Sequence, residues 1–117
     1  CTVCVSSYAP TEEAKESMKK QLALYHADPA RIKIPSQLYK GKGCQACSNT
    51  GYSGQVGIFE VLNVTPRIRE LIKPGVAIDT LRAVAEEEGM RRMFEDGLAK
   101  AEAGATTIEE VFRVIME

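Results

Sequence analysis

The residues best equipped for chemistry are four cysteines in two pairs, Cys1-Thr-Val-Cys4 and Cys44-Gln-Ala-Cys47, and they are all the cysteines the chain has. A two-residue spacer lets both sulfurs of a pair reach one ion from a single tight turn, and Zn²⁺ takes four such ligands in a tetrahedron. Count and pairing therefore predict one Zn²⁺ held by Cys1, Cys4, Cys44 and Cys47. Sulfur would fill every coordination position and leave none for water, so the expected role of the metal is structural and not catalytic. Gly51 and Gly54 come after the second pair, where the lack of a Cβ lets the turn tighten. Rubredoxin-type iron uses the same four-sulfur geometry, so the site is better specified than the metal.

Other uses of paired thiols fit less well. Two disulfides would suit an exported chain, but no targeting segment is evident. A thioredoxin-like redox pair wants a strand before it and a helix after it, and Gly41-Lys-Gly43 before Cys44 does not resemble a strand. A chaperone-like or adaptor zinc module would carry several tandem Cys-x-x-Cys-x-Gly-x-Gly units, whereas only two pairs occur here. His26 is the only histidine. With four thiols already sufficient and no partner nearby in sequence, it is not expected to act as a ligand or a base.

Much chemistry is excluded. There is no G-x-x-x-x-G-K-[ST] phosphate loop, and Gly41-Lys-Gly43 is too short to be one. No Ser/His/Asp or free Cys/His nucleophile is available once the thiols hold metal. No catalytic or nucleotide-binding residue is therefore expected in this chain. The net charge of −1 gives no support for nucleic-acid binding, which usually leaves a basic imbalance. Lys40 and Lys42, Arg67, Arg69 and Lys73, and Arg91 and Arg92 read as solvated surface, as do Glu86-Glu87-Glu88 and Glu109-Glu110. No apolar run approaches the roughly 20 residues of a membrane span.

The elements that must position the thiols can be read from periodicity and caps. Thr11 is a helix N-cap with Glu12 and Glu13 in the first turn, and the helix is expected to run to about His26. Ala14, Met18, Leu22 and Tyr25 form its apolar face, with Glu16 and Lys20 at i,i+4 elsewhere, and Asp28-Pro29 ends it. Residues 30–43 read as an irregular or extended return, with Ile32, Ile34, Leu38 and Tyr39 as packing residues. That return brings the second knuckle to the first, so the helix is an excursion between two halves of one metal site.

Beyond the knuckle, Val56, Ile58, Phe59, Val61, Leu62 and Val64 make a nearly continuous apolar strand, as in a strand covered on both faces. Partners for it are few here. The expectation is that it belongs to a sheet whose other strands precede residue 1, in a longer polypeptide of which this chain is a piece.

Helices dominate the rest. Thr65-Pro66 starts a short one with Ile68, Leu71 and Ile72, stopped by Pro74-Gly75. Asp79 is expected to cap a second carrying Leu81, Val84 and Ala85, with Gly89 at its left-handed end. A third is expected from about Met90 to Ala103, showing Met90, Met93, Phe94, Leu98 and Ala101 on one face. Gly97 within it permits a close helix crossing or marks a break. After Gly104, Thr106 or Thr107 caps the last helix with Glu109 or Glu110 three residues on, a capping-box pattern, and Ile108, Val111, Phe112 and Ile115 form its stripe.

The fold class expected is thus mainly α with a small β component. It has three parts: a tetracysteine metal-binding subdomain with an inserted helix (1–54), a strand joining to a larger core (55–64) and a C-terminal helical bundle (65–117).

An ordered series of motifs also resembles one known family, the secretion ATPases of type II secretion and type IV pilus assembly. Cys1-x-x-Cys4 and Gly43-Cys44-x-x-Cys47-x-x-Thr50-Gly51-Tyr52-x-Gly54 look like its zinc region. Gly57-Ile58-x-Glu60-Val61 and Ile68-Arg69-x-Leu71-Ile72 look like the segment directly after that region. Gly89-Met90, Glu95-Asp96-Gly97-Leu98 and Gly104-x-Thr106-Thr107-x-Glu109-Glu110-Val111 resemble the closing helices of that family. The family usually places Arg where Gln55 stands, and Thr and Leu where Arg92 and Met93 stand.

The resemblance implies a parent that is a hexameric cytoplasmic ATPase docked at the bacterial inner membrane. ATP and Mg²⁺ would bind in the part preceding residue 1. Its implied partners are the rest of the ATPase, neighbouring subunits and the inner-membrane platform or its linker proteins. The strand at 56–64 would return to the ATPase sheet, and this chain would be a non-catalytic module.

Overall fold

A computed structural model describes residues 1–24 and 28–116. Directly after Cys4 the chain enters a short strand, β1 (Val5–Tyr8), which pairs antiparallel with β2 (Leu38–Gly41). Tyr8 lies opposite Leu38 and Val5 opposite Gly41, so the ladder ends beside Cys4 on one strand and just before Cys44 on the other. The Lys42 N–H donates to the Cys4 carbonyl at 3.0 Å and extends the pairing toward the thiols. From sequence alone, 5–10 reads as a linker and 38–41 as an irregular or extended approach. Four-residue strands of mixed polarity carry too little alternation to announce themselves.

Helix α1 (Glu12–Ala23) occupies the excursion between the strands. Thr11 caps it, its hydroxyl accepting from the Ala14 N–H at 3.2 Å. Ala14 and Met18 are half-buried and Leu22 is fully buried, which is the expected face. Tyr25 and His26, assigned to the same helix, lie outside the described residues. Glu16 pairs with Lys19 at 3.1 Å, one residue short of the expected Lys20.

The segment 55–64 differs from expectation. It forms no strand, and Val56, Phe59, Val61, Leu62 and Val64 are exposed. A strand needs a neighbour for its backbone groups, and none of the described residues offers one. Side chains of a later helix supply partners instead. Asp96 accepts from the Phe59 N–H at 2.9 Å, while Lys100 donates to the Gly57 carbonyl at 2.7 Å and sits 4.8 Å over the Phe59 ring.

Four helices complete the chain: α2 (Pro66–Leu71), α3 (Ile78–Glu87), α4 (Met93–Glu102) and α5 (Ile108–Ile115). Thr65 caps α2 as expected. Ala77 and not Asp79 is the N-cap of α3, leaving Asp79 in the first turn paired with Arg82. Helix α4 starts three residues later than expected, because Gly89 and Met90 close the end of α3. The Met90 N–H donates to the Ala85 carbonyl at 2.9 Å and the Gly89 N–H to that of Glu86 at 3.0 Å, a Schellman end that cannot also begin a helix. The start of α4 is fixed by the Glu95 carboxylate, which accepts from the Arg92 N–H at 2.6 Å.

Leu22, Ile32, Leu38, Phe94, Leu98, Ala101, Ile108 and Val111 form one buried cluster. The core therefore joins α1 and β2 to α4 and α5 across the 55–64 segment. Gly97 marks a close crossing and not a break: a Cβ there would lie 2.6 Å from Val111 Cγ1. Helices α2 and α3 pack separately around Ile68 and Ala85, both buried.

Arg31 ties the pieces together. Its guanidinium donates to the Glu95 carboxylate at 3.1 Å and the Met90 carbonyl at 3.2 Å, and lies 3.3 Å from Glu86. Glu86, expected to be simply solvated, is thus drawn into a half-buried ion cluster with Arg31 and Arg92.

Candidate metal centre

The four sulfurs converge just beyond the open end of the β1–β2 ladder. All lie within 4.8 Å of one another, with Cys1–Cys44 at 4.0 Å, Cys4–Cys47 at 3.9 Å and Cys44–Cys47 at 3.6 Å. A tetrahedron with metal–sulfur bonds of about 2.3 Å has sulfur–sulfur edges of about 3.8 Å, so the cage is of the right size. A disulfide would need about 2.05 Å, and all four cysteines are free. Among the described residues no other group of three or more potential ligands gathers in this way.

Local backbone chemistry makes the second pair a knuckle. Residues Gln45–Cys47 form a 3₁₀ turn, and Ser48 and Asn49 then take left-handed φ values of 52° and 64°. Thr50 stabilises the reversal: its hydroxyl donates to the Cys47 carbonyl at 2.7 Å and accepts from the Tyr52 N–H at 3.2 Å. Gly51 must be glycine for two reasons. Its φ is +83°, and a Cβ on it would press on the Gly41 backbone, 3.0 Å from the carbonyl oxygen, just as a Cβ on Gly41 would run into the Gly51 carbonyl. This contact seats the knuckle on β2.

The same turn prepares the thiols for a cation. Burial pushes the Cys47 thiol up, but N–H donation from Gly51 at 3.2 Å and Cys44 at 3.3 Å, with the neighbouring thiols, outweighs it and brings the group down to about 6. Cys4 moves the other way. Burial raises it, and the thiols of Cys47 and Cys44 add to that against a single opposing N–H from Gly43. Four facing sulfurs resist carrying charge together, and a divalent ion at their centre is what would let all four ionise. The cage and its N–H donors fit a thiophilic metal, and it can hold one ion.

All four cysteines predicted from spacing are thus brought together. The role of Tyr52 was not foreseen: its hydroxyl lies 3.0 Å from that of Thr107, the cap of α5. Fifty-five residues separate the two, and nothing in either local sequence announces the contact. His26 lies outside the described residues.

Comparison with known proteins points to one family. Residues 3–113 match the family described as type II/IV secretion system protein. The chain is 43% identical over 82 residues to the type IV pilus assembly ATPase PilB of Thermus thermophilus, covering 70% of this chain and 9% of that protein. It is 45% identical over 76 residues to the type II secretion system protein HxcR of Pseudomonas aeruginosa, covering 65% and 16% respectively. It is 33% identical over 124 residues to the type II secretion system ATPase E of Vibrio cholerae, covering 99% and 22%. The chain thus spans less than a quarter of the length of these relatives. With a family match that takes in Cys4, Cys44 and Cys47, the first four helices and most of α5, the chain belongs to the type II/IV secretion system protein family.

Proposed function

We propose that this chain is a non-catalytic, zinc-stabilised module of an ATPase that powers type II protein secretion or type IV pilus assembly. The observation that carries the reading is the cage of four sulfurs at tetrahedral spacing in a chain of this family. Cys1, Cys4, Cys44 and Cys47 are the zinc ligands in this reading, and the ion's contribution is structural, joining the two knuckles. ATP and Mg²⁺ bind in another part of the ATPase. Residues 1–54 form the metal-binding part, 55–64 a connecting strand and 65–117 the helical part.

Its partners in this reading are the rest of the ATPase, neighbouring subunits of a hexamer and the platform or linker proteins of the bacterial inner membrane, met from the cytoplasm. The exposed Val56, Phe59, Val61, Leu62 and Val64 support the connecting role, since apolar side chains at this density favour a covered site. Paired to the ATPase sheet, the segment would become the strand that its composition favours. Among the described residues no helix is long and apolar enough to cross a membrane.

Elemental analysis of freshly purified protein, with circular dichroism before and after a strong chelator, tests the zinc role. About one zinc per chain and loss of structure on chelation are expected. Iron in its place would correct the metal, while metal-free folded protein with titratable thiols would overturn the reading. An ATP hydrolysis assay on the same protein is expected to give no turnover, and turnover lost with any one residue of this chain would refute the non-catalytic role.

A further inference from the structure

The stretch that carries the second thiol pair meets the α4–α5 turn at both of its ends. Before the pair, the Tyr39 ring lies under Gly104, where a Cβ would be 3.2 Å from the ring. After it, the Tyr52 hydroxyl pairs with Thr107 Oγ1 at 3.0 Å. Thr107 is buried, and the same hydroxyl accepts from the Glu110 N–H at 3.3 Å and so caps α5. Tyr52 is placed by the knuckle itself: its N–H donates to Thr50, whose hydroxyl holds the carbonyl of the ligand Cys47. A continuous chain of bonds therefore runs from a metal ligand to the first turn of the last helix.

We propose that the metal site and the start of α5 are thermodynamically coupled through Tyr52 and Thr107, so that metal occupancy sets the order of the α4–α5 turn. This rests on the four thiols being a metal site. When the ion is bound, the 48–52 loop has one arrangement, and Tyr52 is presented to Thr107 without further ordering cost. When it is lost, that loop is released and Thr107 retains only its own helix as partner. Coupling of this kind is reciprocal: whatever metal binding contributes to the turn, the turn returns to metal affinity.

The test uses the whole chain with Zn²⁺ as the probe, read by competition with a chromophoric chelator and by amide hydrogen exchange. Tyr52→Phe removes one hydroxyl and little else. It is expected to weaken Zn²⁺ binding about fivefold, the effect of one net hydrogen bond, and to speed exchange in the first turn of α5 while zinc is bound. Thr107→Ser keeps the hydroxyl and is expected to retain wild-type affinity. In a Thr107→Val background, Tyr52→Phe is expected to have no further effect on affinity, because its partner is gone.

Unchanged Zn²⁺ affinity in Tyr52→Phe, or an equal loss in the Thr107→Val background, would overturn the coupling while leaving the metal site intact. Failure of the wild type to bind Zn²⁺ at all would overturn the metal-site reading beneath it. Should loss of the metal to the chelator unfold the whole chain, amide hydrogen exchange in the first turn of α5 of the zinc-loaded proteins still decides, since that readout never removes the metal.

Discussion

Gly97 offers a test in which two effects of known size oppose each other. Replacing it by alanine in the middle of α4 gains about 1 kcal/mol of helix propensity. The added methyl, however, would stand 2.6 Å from Val111 Cγ1 and 3.3 Å from its Cγ2. Val111 is 2% exposed, and a β-branched side chain in a helix has essentially one χ1 to occupy, so it cannot turn aside. Overpacking of this kind costs about 1–3 kcal/mol. The net expectation for Gly97→Ala is a loss of about 1 kcal/mol, read as a lower urea midpoint at unchanged m-value in the metal-loaded protein.

Removing the obstacle should reverse the sign. In a Val111→Ala background, itself destabilised by the cavity, Gly97→Ala fills space and is expected to stabilise by about 0.5–1 kcal/mol. A stabilising effect in the wild-type background, or the same sign in both, would refute close α4–α5 contact as the reason for glycine here. The result bears on the site, because this crossing sets the turn that Tyr39 and Tyr52 meet.

Three further outcomes are expected from the contacts. Cys44→Ser is expected to drop bound metal from about one ion per chain to a minor fraction after gel filtration, since serine is a poor ligand for a thiophilic ion; full retention would show that the cage is not the site. Arg31→Met keeps the aliphatic stem but removes the guanidinium that Glu86 and Glu95 share, leaving Glu86 with Arg92 alone as a charged partner among the described residues. Because these groups are 17–27% exposed, the expected loss is about 2 kcal/mol, below that of a fully buried pair, and a urea midpoint within about 0.5 kcal/mol of wild type would refute the tie. Asp96 is held below the usual carboxylate range first by Lys100 and then by the Phe59 N–H, against some burial. A depressed folded pKa means that its contribution is present above the ordinary value of about 4 and is lost as pH falls through the folded one. Asp96→Asn should therefore narrow the stability difference from wild type as pH drops from 6 to 3, and a difference independent of pH would exclude the carboxylate's role.

The gathering of the four thiols was legible because it depends on residue type and spacing alone: two Cys-x-x-Cys pairs offer four potential ligands whatever path the chain takes between them. Helix caps were legible for a similar reason. Thr11, Thr65 and Thr107 each accept from the N–H three residues on, a purely local event. The capping box expected at α5 is only half made, since the Glu110 carboxylate turns to Arg113 and not back to Thr107. Local sequence offers Glu110 both partners and cannot rank them. The segment 55–64 forms no strand among the described residues for a non-local reason, as β-forming residues express that preference only beside another strand and the sheet expected to pair with it lies outside this chain. The β1–β2 pair, by contrast, exists because tertiary structure provides the pairing that weak local signals do not.

That pair shows how the ends of the molecule depend on one another. Two four-residue strands are marginal in water by themselves, and this ladder meets the core through Leu38 at one end and reaches the sulfur cage at the other. A radius of gyration of 17.0 Å, against about 13 Å for a compact domain of this length, leaves a thin core to carry the first end. With an ion bound, the second end would compensate. By analogy with a disulfide, a cross-link between Cys4 and Cys47, 43 residues apart, removes about 4 kcal/mol of chain entropy from the unfolded state. That is comparable with the whole stability of a small domain, and any affinity of unfolded thiols for the ion subtracts from it. The strand pairing, the seating of Gly51 on Gly41 and the reach of Tyr52 to Thr107 all lie between the cage and the core, so the two ends must loosen together.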